Sequence, residues 1–222
     1  MYERNQLFAD RAEAGRLLAD RLRAMDLADP VVFALPRGGA PVGYEIAREL
    51  KAPLDVLVVR KIGAPDQEEF ALGAVVEGGP PIVVLNEGVP QRFMAHVKAE
   101  SARQAEEIDR RRQAYRGGEP LADVAGRTAI VVDDGIATGA TFRAALEAMK
   151  QMDAARVVAA IPVAPAESLP AIEELADDVV CLATPESFYA VGLHYGDFSQ
   201  TPDAEVVDLL RRARTSKEMS GA

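Results

Sequence analysis

The sequence predicts an α/β fold with a mainly parallel central sheet flanked by helices. Two stretches carry that expectation. Val31-Val32-Phe33-Ala34-Leu35 and Ala129-Ile130-Val131-Val132 are short, wholly apolar runs, the pattern of strands buried on both faces. Each leads into a Gly-bearing turn and then a helical pattern, the alternation that builds a parallel sheet. A third observation bounds the domain count. No Gly/Ser linker, repeat or low-complexity segment divides the 222 residues, so one domain spanning 1–222 is expected, long enough for one well-filled core.

Composition narrows the partners. A formal net charge of −10 argues against a nucleic-acid partner, because phosphate neutralisation needs a basic face. Cys181 is the single cysteine and lies in an apolar run, so neither a disulfide framework nor a thiolate metal site is available. The charged N-terminus lacks the apolar segment of a signal peptide, and no run reaches the length of a membrane span. A cytoplasmic protein with no membrane partner is expected.

Taken in order, Phe8-Ala9-Asp10 precedes a helical pattern carried by Ala14, Leu17, Leu18, Leu22 and Met25, with Asp10 as its cap. This reads as a packing helix. The strand over 31–35 runs into Pro36-Arg37-Gly38-Gly39-Ala40-Pro41 and a helix over 42–50. Leu54 to Val59 reads as a third strand, followed by Arg60-Lys61 and a polar stretch, Gly63 to Glu69, read as a mobile loop. Ala71–Val76 and Ile82–Leu85 read as a hairpin pair. From Pro90 to Arg116 the pattern is helical and charged. Glu106, Glu107 and Asp109 precede Arg110, Arg111 and Arg112 at helical spacing, a solvated face rather than an RNA patch. His96 has no partner at metal-ligand spacing and is assigned no role. Strands over 156–163 and 179–183 enclose a helix over 166–176, and a helix over 204–214 precedes an expected loose tail at 215–222.

The stretch Thr128 to Thr141 carries the chemistry. Two adjacent carboxylates, Asp133 and Asp134, stand where the strand ends, and Gly135-Ile136-Ala137-Thr138-Gly139-Ala140-Thr141 turns into a helix from Phe142. A Gly-bearing turn at a helix N-terminus offers unpaired N–H groups and the positive end of a dipole, which suits a phosphate. The hydroxyls of Thr138 and Thr141 add donors. The carboxylates can hold ribose hydroxyls or a metal-bound sugar at the C-terminal edge of the sheet, where open α/β folds bind ligands.

This motif, VVDDGIATGAT, resembles the 5-phosphoribosyl-1-pyrophosphate (PRPP) motif of type I phosphoribosyltransferases, without a gap. PRGG resembles the pyrophosphate loop of the same family, where a basic residue precedes glycine. The resemblance is specific at these two loops and architectural over roughly 31–183. It implies a type I phosphoribosyltransferase-like core at about 28–184, a flexible lid loop at 63–69, and a small C-terminal hood at 184–200 to which the N-terminal segment is a candidate contributor. It further implies PRPP and a small-molecule acceptor as ligands, Mg²⁺ as cofactor and a homodimer. By the same resemblance, Asp133, Asp134 and Gly135 through Thr141 bind the ribose and 5′-phosphate, and Asp133 and Asp134 support Mg²⁺, directly or through water. Arg37, Gly38 and Gly39 bind the leaving pyrophosphate, with Arg60 and Lys61 as further candidates. Arg37, Asp133 and Asp134 are the implied catalytic residues.

The segment 184–198 holds two of the seven Phe and two of the five Tyr residues. It loosely resembles the base-recognition segment of hypoxanthine-guanine enzymes, with the register one residue off, which makes Phe188 and Tyr189 acceptor-stacking candidates beside the alternative of aromatics sealing the core. His194 reads as structural. One departure bears on the acceptor. The 6-oxopurine enzymes carry an aspartate just before T-G of the motif, whereas this chain has Ala137, as adenine and uracil enzymes do. Two functions remain open from sequence: transfer of the phosphoribosyl group to a nitrogen acceptor, or a non-catalytic PRPP-binding regulator. The acidic single domain and the retained Arg37 favour the enzyme.

Overall fold

The computed structural model describes residues 6–65 and 67–220. Its elements are α1 (Arg11–Arg23), β1 (Pro30–Ala34), α2 (Gly39–Leu50), β2 (Leu54–Val56), β3 (Val59–Ala64), β4 (Gln67–Val76) and β5 (Ile82–Leu85). They continue with α3 (Met94–Arg116), β6 (Thr128–Val132), α4 (Ala140–Gln151), β7 (Arg156–Val163), α5 (Leu169–Glu173), β8 (Asp178–Ala183) and α6 (Asp203–Ser220). Five strands form a parallel sheet in the order β2-β1-β6-β7-β8, and β3-β4-β5 form a separate antiparallel sheet.

The apolar runs are continuous because both faces of the parallel sheet are covered. Strand alternation sorts the side chains. Val32, Ala34, Ile130, Val132, Val158 and Ala160 share a core with Leu18 and Leu22 of α1, Ile46 of α2 and Leu210 of α6. Val31, Phe33, Ala129, Val131, Val157 and Ile161 share the opposite core with Phe142, Leu146 and Met149 of α4 and Ile172 of α5. Each of the larger side chains withdrawn from water contributes roughly 1.5–3 kcal/mol.

Local signals place the helix ends. Asp10 caps α1 by accepting from the Glu13 N–H at 2.7 Å, and Gly117 ends α3 in the left-handed conformation at φ 64°. On α3 the charges pair along the helix, Arg110 and Arg111 with Glu107 and Arg112 with Asp109. His96 Nε2 donates to the Gly63 carbonyl at 2.9 Å, tying α3 to β3. No helix among the described residues is long and apolar enough to cross a membrane.

Four sequence expectations change. The single strand over 54–59 is two: β2 closes the parallel sheet, and β3 leaves it for the antiparallel one. The expected loop at 63–69 lies mostly in strand, because Gly63 and Ala64 end β3 and Gln67 to Glu69 begin β4, while Asp66 lies outside the described residues. The helix over 166–176 is a 3₁₀ turn at Ala166–Ser168 followed by the short α5. The tail at 215–222 continues α6 as far as Ser220, and residues 221–222 lie outside the described residues.

The two sheets are joined by a buried ionic cluster. Arg116, at the end of α3, donates to Asp55 Oδ1 of β2 at 2.9 Å, to the Val56 carbonyl at 2.8 Å and to Glu77, which follows β4. Asp55 Oδ2 accepts the Ala122 N–H at 2.9 Å. Side-chain exposure is 1% for Arg116, 7% for Asp55 and 4% for Glu77, so burial must be answered by this pairing. Burial nonetheless pushes the Glu77 carboxyl above the usual range, against the pull of Arg116.

Candidate active site

The order of the parallel sheet creates a crevice. From β1 the chain crosses through α2 to β2 on one side, whereas β6 pairs with the other side of β1 and leads through α4 to β7. The helices α2 and α4 lie on opposite faces, so the loops after β1 and β6 diverge at the C-terminal edge. That switch point is where open α/β sheets bind ligands. Both sequence motifs fall there.

The loop after β1 is pinned to β6 by the Leu35 N–H on the Val132 carbonyl at 2.8 Å, and the Pro36–Arg37 peptide is cis. Gly38 and Gly39 pack onto the acidic pair. A Cβ on Gly38 would overlap the Asp134 carboxylate, and one on Gly39 would lie 2.8 Å from the Val132 carbonyl oxygen and 3.1 Å from the Asp133 Cα. Only glycine permits this approach. Arg37 is partly exposed and, among the described residues, forms no ion pair.

Asp133 and Asp134 follow β6 directly. The Asp134 N–H donates to Asp133 Oδ1 at 2.8 Å. Burial pushes both carboxyls above the usual range, Asp133 furthest, where the neighbouring Asp134 charge adds to the effect. Arg11 opposes the shift: its Nε donates to Asp134 Oδ2 at 2.8 Å, with side-chain exposures of 11% and 14%. The Tyr195 hydroxyl donates to the Asp134 carbonyl at 2.6 Å, and burial pushes that phenol upward.

The turn 135–141 divides by role. Gly135 meets the hood, since a Cβ there would lie 2.5 Å from Val191 Cγ1. Ile136 is buried, and its N–H is spent on the Val163 carbonyl at 2.9 Å, so it offers a ligand neither side chain nor donor. Ala137 and Thr138 are exposed, and the Ala137 carbonyl accepts from Ser168 Oγ at 3.0 Å. Gly139 adopts φ 72° and starts α4 with no side-chain cap, which leaves the first turn at Ala140 and Thr141 with unpaired N–H groups.

Other predicted residues are placed elsewhere. Arg60 is turned to α3, its Nε donating to Gln104 Oε1 at 2.9 Å. Lys61, on the opposite side of the strand, lines a small cleft with Ala140, Arg143 and Glu147, beside the start of α4 rather than the Gly38–Gly39 turn. Phe188 packs in a hood cluster with Phe8, Tyr195 and Phe198, its ring centroid 5.2 Å from that of His194. Tyr189 is 69% exposed. Phe188 is thus committed to the hood cluster, whereas Tyr189 lies on the surface.

Sequence reasoning missed Arg11 and Tyr195. The N-terminal segment runs along the hood: the Leu7 and Phe8 N–H groups donate to the His194 carbonyl, and the Gly196 and Asp197 N–H groups to the Phe8 and Ala9 carbonyls. This pairing delivers Arg11, the first residue of α1, to an aspartate 123 positions away. No spacing rule connects residues so far apart.

The donor set suits a hard divalent cation. Two adjacent carboxylates supply oxygens, and among the described residues no group of three or more His, Cys, Asp or Glu forms a cage. A magnesium ion here would take its remaining ligands from substrate and water.

A family model described as the phosphoribosyl transferase domain matches residues 2–195. Proteins from two strains of Mycobacterium tuberculosis, both carrying provisional phosphoribosyl transferase names, are 46% identical over 220 residues, which is 98% of this chain and 49% of each relative. The chain thus spans about half the length of these curated relatives. The crystal structure of TT1426 from Thermus thermophilus superposes with a TM-score of 0.83 at 43% identity, covering 92% of this chain and 98% of that one.

Proposed function

The chain belongs to the phosphoribosyl transferase domain family, and we propose that it transfers the 5-phosphoribosyl group of PRPP to a nitrogen acceptor, a nucleobase or related amine, with release of pyrophosphate. The observation that carries this reading is the close packing of the Gly38–Gly39 turn on Asp133 and Asp134, beside the uncapped start of α4. One crevice thereby offers donors for a phosphate, carboxylates for sugar hydroxyls and a second glycine turn for a pyrophosphate.

Each group acts through position and charge. The N–H groups opening α4, with the Thr138 and Thr141 hydroxyls, hold the 5′-phosphate at the positive end of the helix dipole. Asp133 and Asp134 accept from the ribose hydroxyls and face the positive charge that develops on the ring as the bond to pyrophosphate breaks. Arg37 and the backbone of Gly38 and Gly39 take the growing negative charge of the leaving group; a guanidinium suits this because its donors form a fork. Magnesium, when bound, would be held on the side of Asp133 and Asp134, directly or through water, and would supply neutralisation of the charge growing on the leaving group. Ala137 has no ionisable group, so proton handling on a 6-oxopurine lacks its usual aspartate and such acceptors are disfavoured.

Pyrophosphate release from PRPP with magnesium, measured across nucleobases and small amines with a no-acceptor control, tests the reading. Release stimulated by one acceptor is expected. Tight PRPP binding without stimulated release across the panel would point to a regulator.

A further inference from the structure

The cation paired with Asp134 comes from the N-terminal segment, not from either loop. Arg11 makes three contacts at once. Its Nε donates to Asp134 Oδ2 at 2.8 Å, its Nη1 donates to the Ser199 carbonyl at 2.8 Å, and its guanidinium carbon stands 3.9 Å above the Phe198 ring. Phe198 in turn stacks on Tyr195 at 5.0 Å between centroids, and the Tyr195 hydroxyl holds the Asp134 carbonyl. Asp134 is thus gripped at its side chain by α1 and at its backbone by the hood.

The surroundings admit little alternative. Gly38 presses on the same carboxylate from the β1 loop, and Val191 of the hood presses on Gly135, the next residue. The hood is itself closed on the segment at 7–9 by four backbone hydrogen bonds. A fork-shaped cation on an aromatic face satisfies all three partners in one geometry, which a lysine ammonium cannot reproduce.

We propose that Arg11 is a positioning residue of the sugar site, orienting the Asp134 carboxylate and making the N-terminal segment and hood one unit with the residues that bind the ribose. Arg11 acts through Asp134; the N-terminal helix is therefore part of the binding machinery rather than only a packing element. The inference deepens the functional reading and rests on it for the identity of the ligand alone.

The test has two arms. In the first, wild type, Arg11→Gln and Arg11→Lys are titrated by calorimetry with PRPP plus magnesium and, separately, with pyrophosphate plus magnesium. Removing one charged hydrogen bond is expected to weaken PRPP binding in Arg11→Gln on the order of 10- to 100-fold. Arg11→Lys should recover part of it, and pyrophosphate affinity should stay within about twofold, since that ligand is assigned to the Arg37–Gly39 turn. Unchanged PRPP affinity overturns the proposal, and so does an equal loss for both ligands, which would mean general loosening. In the second arm, hydrogen exchange is followed in ligand-free wild type, Arg11→Gln and Asp134→Asn. Faster exchange at the Gly196 and Asp197 amides in both variants is expected, and wild-type rates in both would overturn the link to the hood. If wild type fails to bind PRPP, the functional reading falls and the exchange arm alone decides the role of Arg11.

Discussion

Gly38 and Asp134 belong to different strand-loop units, yet they share a space with no room for a side chain between them. Gly38→Ala must displace either the carboxylate or the loop. Loss of PRPP binding by more than about tenfold is expected, with a stability cost of roughly 1–3 kcal/mol for the forced shift. Denaturant unfolding alongside calorimetry checks both, and a variant that binds normally would show that the crevice can spread without consequence.

Asp133 should show stability and function in opposition. Its carboxyl is raised by burial and by the Asp134 charge, so the folded state holds that proton more tightly than the unfolded chain does. The sign follows: through this group the wild type loses stability as pH rises from the ordinary carboxylate range through the folded-state value, and Asp133→Asn lacks that contribution. The melting-temperature advantage of Asp133→Asn should therefore grow with pH and then level off, by roughly 2–4 °C for each kcal/mol relieved. The same variant should bind PRPP with magnesium more weakly. A gap that is constant with pH would contradict the assignment of the shift to this group.

Arg37→Ala is expected to lower pyrophosphate affinity and turnover on the order of 10- to 100-fold while leaving the melting temperature nearly unchanged, because Arg37 has no ion pair to lose among the described residues. Normal kinetics would reduce the turn to a purely structural element.

Arg116→Met leaves Asp55 and Glu77 buried without their cation, a loss of about 3–5 kcal/mol. Because burial already raises the Glu77 carboxyl and the loss of the Arg116 charge removes the pull against it, that carboxyl can take up a proton, and the penalty should shrink as pH falls. Thermal unfolding at about pH 5 and about pH 8, on either side of neutrality, reads this directly; a pH-independent penalty would mean that packing, not charge, is what Arg116 supplies.

Phe188→Ala should cost stability, roughly 1–3 kcal/mol for a partly buried ring, and should reduce affinity for every acceptor alike. A selective loss for one heterocycle would restore the base-stacking role that its packing against His194 speaks against.

Much of the site was legible from residues near one another in sequence. The apolar run from Ala129 to Val132, the paired aspartates and the glycines at 135 and 139 encode a buried strand, its end and the start of a helix, because those features depend on neighbours within a few positions. The same holds for PRGG, the 82–85 strand and the ion-paired face of α3. Polar composition misled at 63–69, where cross-strand pairing overrode it, and the apolar run at 54–59 did not disclose that it divides between two sheets.

Local periodicity and turn chemistry encode the two glycine-bearing loops, at 36–41 and 133–141, and the class of fold that presents them. Packing between elements distant in the chain set which groups surround the acidic pair. It brought Arg11 and Tyr195 to Asp134, sent Arg60 to Gln104 and Lys61 to the start of α4, and folded Phe188 into the hood. Those choices follow from how helices and hood pack on the sheet, and contacts between residues so far apart along the chain leave no periodic trace in it.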